Sequence, residues 1–276
     1  EMGARTVQAM LFGRASRVPV YIWATLVEHL ELERDAARQS LRRWLLARAS
    51  GVIVNGGSGA SYIRRFDVPD TRIAVIPQTT ALEPFQRIPL ARSAAVARRI
   101  LVVGRLSTGK GLDLLLSALA VVARRQPQRT IDMCVIGDGP ERTRLQSMPL
   151  PPNVRVVWPG HVDYEALPGY YARAGLLAFP TLGDEWGMVV NEALAAGLPV
   201  LGSRYSQAVV ELVRDGANGW LVSPDSVQDV ASALERALDT PDDVLEGMRA
   251  AARASVEELT PARIADRFVQ ALHARS

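Results

Sequence analysis

From Arg99 onward the sequence alternates short apolar runs with helical patterns. The apolar runs lie at residues 100–103, 131–136, 154–158, 176–179, 199–201 and 220–222. The helical patterns lie at residues 112–125, 142–147, 164–173, 189–196, 207–214 and 227–238. Strands that are apolar along their whole length, each followed by a helix, are typical of a parallel sheet covered on both faces. We therefore predict an α/β fold with a doubly wound domain, in which ligands bind at the carboxyl ends of the strands.

The first ninety residues contain a less complete version of the same pattern. Strands are predicted at 18–23, 52–54 and 73–76, and an amphipathic helix at 34–49. The Pro-, Thr- and Gln-rich segment 77–93 indicates a hinge. We predict a partial N-terminal domain over 1–90 and a C-terminal domain over 91–257. The remaining segment, 258–276, should form a helix, because its apolar residues recur every four positions. We also predict that this helix packs back on the N-terminal part.

Composition limits the classes of function. The 32 basic residues are nearly balanced by 29 acidic ones, and no compact basic run with interleaved aromatics occurs, so we expect no nucleic-acid partner. The longest apolar run, 18–27, is shorter than the ~20 residues that a membrane span needs. The only cysteine, Cys134, excludes a disulfide framework and favours the cytoplasm. The arginines of 34–48 leave open a peripheral contact at the inner face of the membrane; a solvated helix face is the alternative.

A glycine-rich loop follows the strand at 100–103 and leads into a helix at Leu112. Glycines such as Gly104 let the backbone approach a ligand, and the start of a helix favours an anion. Lys110 is the only lysine in a chain with 31 arginines, which indicates that a compact ammonium is needed at this position. We predict that Arg105 and Lys110 bind phosphate groups; a surface lysine in a loop is the alternative.

The same loop is not a Walker loop, because its spacing differs and no Ser or Thr follows Lys110. The sequence contains no Asp-x-Asp pair that could hold a diphosphate through a metal ion. Two fixed cations could replace that metal electrostatically. We therefore predict neither a metal site nor a cofactor.

A second cluster follows the strand at 176–179. An acidic loop with Asp184 and Glu185 precedes a helix that starts near Gly187. The backbone amides of Gly187, Met188 and Val189 would be donors without a helical partner. A role for Asp184 as the helix cap is the structural alternative.

Glu192 lies inside the same, otherwise apolar helix. A carboxylate in such surroundings needs a polar partner, and a carboxylate can accept a pair of sugar hydroxyls. A structural ion pair is the alternative. Further along the predicted sheet edge, the turn 137–140 is interpreted as mainly structural. The loop 158–162 ends another strand and could line a base pocket, with Val162 among the donor-binding residues.

These motifs, taken in order, resemble those of glycosyltransferase family 4, whose members are retaining enzymes of the GT-B fold. The matching stretches are Gly-Arg-Leu at 104–106 with Lys-Gly at 110–111, Gly-Asp-Gly-Pro at 137–140, Asp184 with the stretch 192–200, and 218–222. The resemblance covers the chain from about Ala49 to its end. It implies a doubly wound donor domain that binds the nucleotide sugar, and a second, incomplete α/β domain on the acceptor side.

The resemblance also implies roles for individual residues. Arg105 and Lys110 would bind the diphosphate, and Asp184 would be the first acid of the Glu-x7-Glu motif, which contacts the donor sugar. Glu192 would be the second acid, which contacts the ribose. The amides of the helix start at 187–189 would bind phosphate and sugar.

Two departures from the family pattern affect these predictions. Asp184 stands where the family has Glu, so Glu185 is an alternative first acid. The first strand and glycine-rich loop of the family are not found before Val18, so we expect a truncated N-terminal domain and a poorly active chain. For the family's N-terminal histidine, His29 is a candidate only.

We therefore predict a metal-independent glycosyltransferase that moves a sugar from a nucleotide-diphosphate sugar to a hydroxyl acceptor with retention. The acceptor would be a sugar, a lipid-linked glycan or a small molecule. The alternatives are a nucleotide-sugar epimerase or phosphorylase of GT-B architecture, and a non-catalytic nucleotide-sugar-binding fragment. Release of nucleotide only when an acceptor is added would favour the transferase.

Overall fold

The computed structural model describes residues 2–26, 31 and 36–273. The chain divides into two compact units, Glu1–Thr79 with Pro261–Ser276 and Thr80–Thr260. The first observed division lies eleven residues before the predicted one, and the second lies three residues after it. The first difference arises because the predicted hinge is partly anchored on the second unit: Phe85 packs on Tyr171, and the Arg92 guanidinium donates to Ala174 O at 3.0 Å and Ala196 O at 3.1 Å.

The N-terminal unit contains a parallel sheet of three strands in the order β1-β2-β3. Its described elements before residue 80 are α1 (Ala4–Ser16), β1 (Tyr21–Ala24), α2 (Ala36–Arg48), β2 (Gly51–Val54), α3 (Gly57–Arg64) and β3 (Ile73–Val75). Apolar residues of α2 and α3, such as Leu45, Leu46 and Ile63, are fully buried against the strands.

The last helix of the chain, Pro261–His273, belongs to this unit. Its residues Ile264, Phe268 and Leu272 pack on a small cluster formed by β2 and β3. The Tyr21 hydroxyl donates to Leu272 O at 2.8 Å, and the Phe268 ring lies 5.5 Å from the Trp23 ring. The four-residue spacing of its apolar side chains therefore serves to cover one face of the sheet.

The arginines of α2 have partners within the unit. Arg42 is buried, forms an ion pair with Glu31 and donates to the Tyr62 hydroxyl at 2.6 Å. Arg43 pairs with Asp67 at 2.6 Å, and the Arg48 guanidinium lies 4.5 Å from the Trp44 ring centroid. These contacts give the three arginines a structural role.

The C-terminal unit contains a parallel sheet of six strands in the order β6-β5-β4-β7-β8-β9. Its elements up to β6 are α4 (Glu83–Gln86), β4 (Ile100–Val103), α5 (Leu112–Arg125), β5 (Ile131–Ile136), α6 (Arg142–Gln146) and β6 (Val154–Gly160). The elements that follow are α7 (Leu167–Ala172), β7 (Leu176–Phe179), α8 (Met188–Ala195), β8 (Val200–Ser203), α9 (Gln207–Leu212), β9 (Gly219–Val222), α10 (Val227–Asp239) and α11 (Asp242–Ala254). The helix Pro261–His273 is α12.

The strand order reverses between β4 and β7. The chain proceeds from β4 outward to β5 and β6, then returns to the other side of β4 and proceeds through β7 to β9. Such a reversal leaves the loops after the two central strands side by side at the carboxyl edge, which is where open α/β sheets bind ligands. The prediction of an α/β fold with a doubly wound sheet is confirmed, and the predicted strand ends of this sheet are within two residues of the observed ones. In the N-terminal unit, the strand predicted from residue 18 begins at Tyr21.

Four helices were not predicted: α1, α3, α4 and α11. Helix α1 lacks a clear helical period, and Leu11 and Phe12 are more than half exposed. Helix α11 has apolar positions, including Leu245 and Met248, that become buried only against the rest of the unit. Among the residues that the structure describes, no helix has both the length and the apolar character that a membrane crossing requires.

Candidate functional site

Two loops meet at the carboxyl edge of the C-terminal sheet, one after β4 (104–111) and one after β7 (180–187). The amide of Leu182 donates to Gly109 O at 2.9 Å, and the Thr181 hydroxyl donates to the same carbonyl at 3.0 Å. The side chains of Lys110 and Asp184 form an ion pair, with Nζ and Oδ2 2.5 Å apart. Residues that are 74 positions apart in sequence are thus brought into direct contact.

A glycine makes this approach possible. Gly111 has φ +65°, and a Cβ at this position would lie 2.2 Å from Pro180 O. Both the left-handed conformation and the lack of space therefore exclude a larger residue. The last residue before α5 must be glycine for the loop after β4 to lie against the loop after β7.

Lys110 keeps binding capacity beyond its pair with Asp184. Its side chain is 29% exposed and the Nζ atom lies 5.6 Å from the centroid of the Phe179 ring. An ammonium group has three donors, and the bond to Asp184 uses one. The ion pair therefore offers a cation and a carboxylate next to each other.

Arg105 supplies a second cation on the same loop. Its side chain is exposed and makes no ion pair with any residue that the structure describes. The loop around it is held by the amide of Gly104, which donates to Ile136 O at 3.0 Å, and by that of Leu106, which donates to Asp138 O at 2.9 Å. The turn 137–140 therefore supports the loop, in agreement with its structural interpretation.

The start of α8 faces the same edge. Gly187 is its N-cap residue, with φ +105°, and no side chain of the described residues caps the helix. Asp184 Oδ1 accepts from the amide of Trp186 at 3.1 Å, so Asp184 closes a local turn and does not cap the helix. An uncapped helix start presents amide donors and a partial positive charge to an anion. Met188 and Val189 are the first residues of this helix.

Glu192 lies in the next turn of α8, with 5% of its surface exposed. The Tyr171 hydroxyl donates to its Oε2 atom at 2.7 Å, so its partner is a tyrosine and not the cation of an ion pair. Burial raises the pKa of the Glu192 carboxyl because it disfavours the charged form, and the hydrogen bond from Tyr171 opposes this effect.

The remaining predicted residues lie outside the contact between Lys110 and Asp184. Val162 is half-buried in the loop after β6, at the same edge but two strands from β4, which corresponds to roughly 10 Å. Glu185 is exposed, and of the two neighbouring acids it is Asp184 that contacts Lys110. His29 lies outside the described residues.

Three residues of the site were assigned no role from the sequence. Thr181 is fully buried and ties the two loops together, Phe179 packs beside the Lys110 ammonium, and Tyr171 bonds to Glu192. Thr181 lies two residues after the end of an apolar strand, and this position is the one signal that was available in the sequence. Tyr171 is invisible to pattern analysis because α7 and α8 meet only in the folded unit.

The volume of the cavities alone would favour a site in the N-terminal unit over the one at the sheet edge. The enclosed space beside Gly104, Lys110 and Phe179 is only about 10 Å³, so the site is an open ledge. A groove of about 720 Å³ lies in the N-terminal unit and is lined by apolar residues and by Arg14, Arg17 and Arg48. The ledge is the better candidate because it combines the strand-order reversal, an uncapped helix and a cation beside a carboxylate.

Among the described residues, no cluster of three or more His, Cys, Asp or Glu is placed to hold a metal ion.

The fold and this ledge define a doubly wound α/β protein whose candidate site lies at the strand-order reversal. The chain belongs to the family Glycosyl transferases group 1, whose sequence model matches residues 97–240. The match covers just over half of the chain and contains both loops and helix α8.

Individual relatives support the same family. The D-inositol 3-phosphate glycosyltransferase of Nocardia farcinica is 30% identical over 237 residues, which cover 79% of this chain and 52% of the relative. The alpha-D-kanosaminyltransferase of Streptomyces kanamyceticus is 30% identical over 145 residues, which cover 52% of this chain and 37% of the relative. This chain thus spans about half the length, or less, of these curated relatives.

Solved structures show the fold. Anabaena HepE in complex with UDP has a TM-score of 0.75 at 22% identity, with 98% of this chain and 76% of that chain covered. The two parallel sheets of the present chain agree with the two-domain GT-B architecture of such neighbours.

Proposed function

We propose that this chain binds a nucleoside-diphosphate sugar and belongs to a glycosyltransferase that transfers the sugar to a hydroxyl acceptor with retention. The reaction breaks the bond between the anomeric carbon and the diphosphate oxygen and forms a bond from that carbon to the acceptor oxygen. A nucleoside diphosphate and one proton are released. The observation that carries the proposal is the contact between Lys110 and Asp184 beside the start of α8.

The geometry suits the charges of such a donor. Negative charge grows on the diphosphate as it leaves, and Lys110, Arg105 and the amides at the start of α8 are donors that would stabilise it. Asp184 lies next to Lys110 and is an acceptor, so it would contact hydroxyls of the sugar attached to the diphosphate. Glu192 lies about five residues into α8, roughly 7 Å further along the axis, and would contact the ribose.

The first test is the binding of nucleoside diphosphates by calorimetry. UDP is the first probe because the HepE neighbour was solved with it, and GDP and ADP follow. We expect one of them to bind at least about tenfold more tightly than its monophosphate, because the cations and helix amides act on the second phosphate. Equal affinities for the monophosphate and the diphosphate, or no binding of any of the three, would contradict the proposal.

Donor binding should not depend on a divalent metal. Lys110 and Arg105 already place positive charge where the diphosphate would lie. We expect the affinity for the diphosphate to stay within about twofold when EDTA is added, since no bridging ion is then lost. An affinity that collapses with EDTA and returns with Mg²⁺ or Mn²⁺ would show that the metal-independent part of the proposal is wrong.

We also propose that the protein is located in the cytoplasm. Cys134, the single cysteine, is a free and partly buried thiol, which fits a protein of the cytoplasm.

A further inference from the structure

Helices α7 and α8 meet at a buried pair of polar side chains. Tyr171 is completely buried, and its hydroxyl donates to Glu192 Oε2 at 2.7 Å. A polar hydroxyl and a carboxylate are costly to bury unless they satisfy each other. The pair is therefore a built feature of the C-terminal unit.

The tyrosine ring is held in place by aromatic neighbours. The Phe85 ring of α4 packs edge-on against Tyr171, with centroids 5.0 Å apart, and against Tyr164 at 6.0 Å. Because the ring is fully buried and packs on Phe85, packing determines the position of its hydroxyl. The hydroxyl in turn determines where Oε2 of Glu192 lies.

The second carboxylate oxygen remains available. Oε1 of Glu192 accepts no hydrogen bond from the described residues, and it is not among the buried atoms that lack a partner. Oε1 must therefore reach solvent, although the residue as a whole is 95% buried. One oxygen is anchored inside the unit while the other can meet a ligand.

We propose that Tyr171 is a positioning residue for nucleotide binding, which anchors Oε2 of Glu192 so that Oε1 accepts a hydrogen bond from the ribose hydroxyls. This inference rests on the proposed function and adds a residue to it. Tyr171 touches no ligand itself. It acts through the orientation and the charge of Glu192.

The charge of Glu192 responds to Tyr171. Burial raises the pKa of the Glu192 carboxyl, and the hydrogen bond from Tyr171 lowers it in part. Removal of the hydroxyl therefore raises that pKa further, and the charged form is lost at a higher pH. Other charged groups on the elements around α8 are exposed or bonded elsewhere. Glu83 and Glu211 are exposed. Arg249 donates to Ala97 O, Arg253 donates to Ala195 O, and Lys110 pairs with Asp184.

The test compares wild type with Tyr171→Phe, which keeps the ring and its packing on Phe85. UDP, GDP and ADP are first tested with wild type. The nucleotide that wild type binds is then compared with its 2′,3′-dideoxy analogue, which lacks the ribose hydroxyls. We expect wild type to prefer the natural ribose by about 10- to 100-fold, and Tyr171→Phe to reduce this ratio about 5- to 10-fold. We also expect the loss of affinity at acid pH to begin at a higher pH in the variant.

Tyr170→Phe is the matched control, because Tyr170 is the adjacent residue of α7 and its ring instead lies under the Arg173 guanidinium. This control should keep the ribose preference and the pH profile of wild type. A Tyr171→Phe protein that melts at a lower temperature but keeps both would show a merely structural tyrosine and overturn the inference. A wild type that binds none of the three nucleotides would overturn the proposed function, and the inference with it.

Discussion

Lys110→Ala is expected to slow the release of nucleoside diphosphate from the donor by about 10²-fold or more, by analogy with the loss of one oxyanion-stabilising donor. Two effects add. The cation beside the leaving diphosphate is removed, and Asp184, which is paired with Lys110 at 2.5 Å, is left as an uncompensated negative charge at the same place. The rate can be measured as slow hydrolysis of the donor in water, without knowledge of the acceptor. The fold should be preserved, since Lys110 lies in a short 3-10 turn after β4 with a partly exposed side chain, so its loss opens no core cavity.

The uncompensated charge of Asp184 in Lys110→Ala can be tested with a double variant. If Asp184 repels the diphosphate once Lys110 is gone, Lys110→Ala combined with Asp184→Asn should bind free nucleoside diphosphate more tightly than Lys110→Ala alone. Arg125→Ala is the matched control, because it also removes one positive charge and one ion pair, that with Glu235. Arg125 ends α5, roughly 20 Å along the axis from the loop. Kinetics of Lys110→Ala that match those of Arg125→Ala would make Lys110 an ordinary surface lysine.

Asp184→Asn is expected to separate sugar recognition from nucleotide recognition. The substitution removes a charged acceptor for the sugar hydroxyls, so turnover of the donor should fall by about 10- to 150-fold. Free nucleoside diphosphate should bind as tightly as before or several-fold more tightly, because Lys110 loses the carboxylate that competes with the phosphate. Paired affinities for the free diphosphate and the full donor sugar measure this difference.

Two variants of neighbouring acids complete the comparison. Glu185→Gln is the control, since Glu185 is exposed and Asp184 makes the contact with Lys110. Glu192→Gln should weaken the binding of the free nucleoside diphosphate and of the donor sugar alike, because both lose the ribose contacts of Glu192. Asp184 would not be the sugar-contacting acid if Glu185→Gln produced the turnover defect while Asp184→Asn had no effect.

Much of the C-terminal unit could be predicted because its local signals agree with its tertiary structure. A strand buried on both faces must be apolar throughout, so β4 and β7 are visible as apolar runs. Glycines such as Gly111 and Gly187 mark turns that other residues cannot form. The loops after β4 and β7 were therefore identified, together with their charged residues.

The N-terminal unit and the segment that follows it show where local patterns fail. Helix α1 has no apolar face that its sequence pattern reveals. Residues 77–93, predicted as a hinge, contain α4, and from Thr80 onward they belong to the C-terminal unit, in which Phe85 and Arg92 anchor them. Such anchoring depends on contacts between residues that are distant in sequence. It leaves no trace in the composition of a Pro-rich segment.

The sequence by itself determined the strands and most of the helices of the C-terminal unit, because burial and turn geometry impose residue types locally. It singled out Lys110 as the only lysine and Asp184 and Glu192 as acids before and within one helix. Only the tertiary structure decided which groups meet. The reversal of strand order puts Lys110 against Asp184, and the crossover helix α7 brings the Tyr171 hydroxyl to Glu192. These contacts follow from the order of strands and the packing of helices, which depend on the whole unit and not on any one segment.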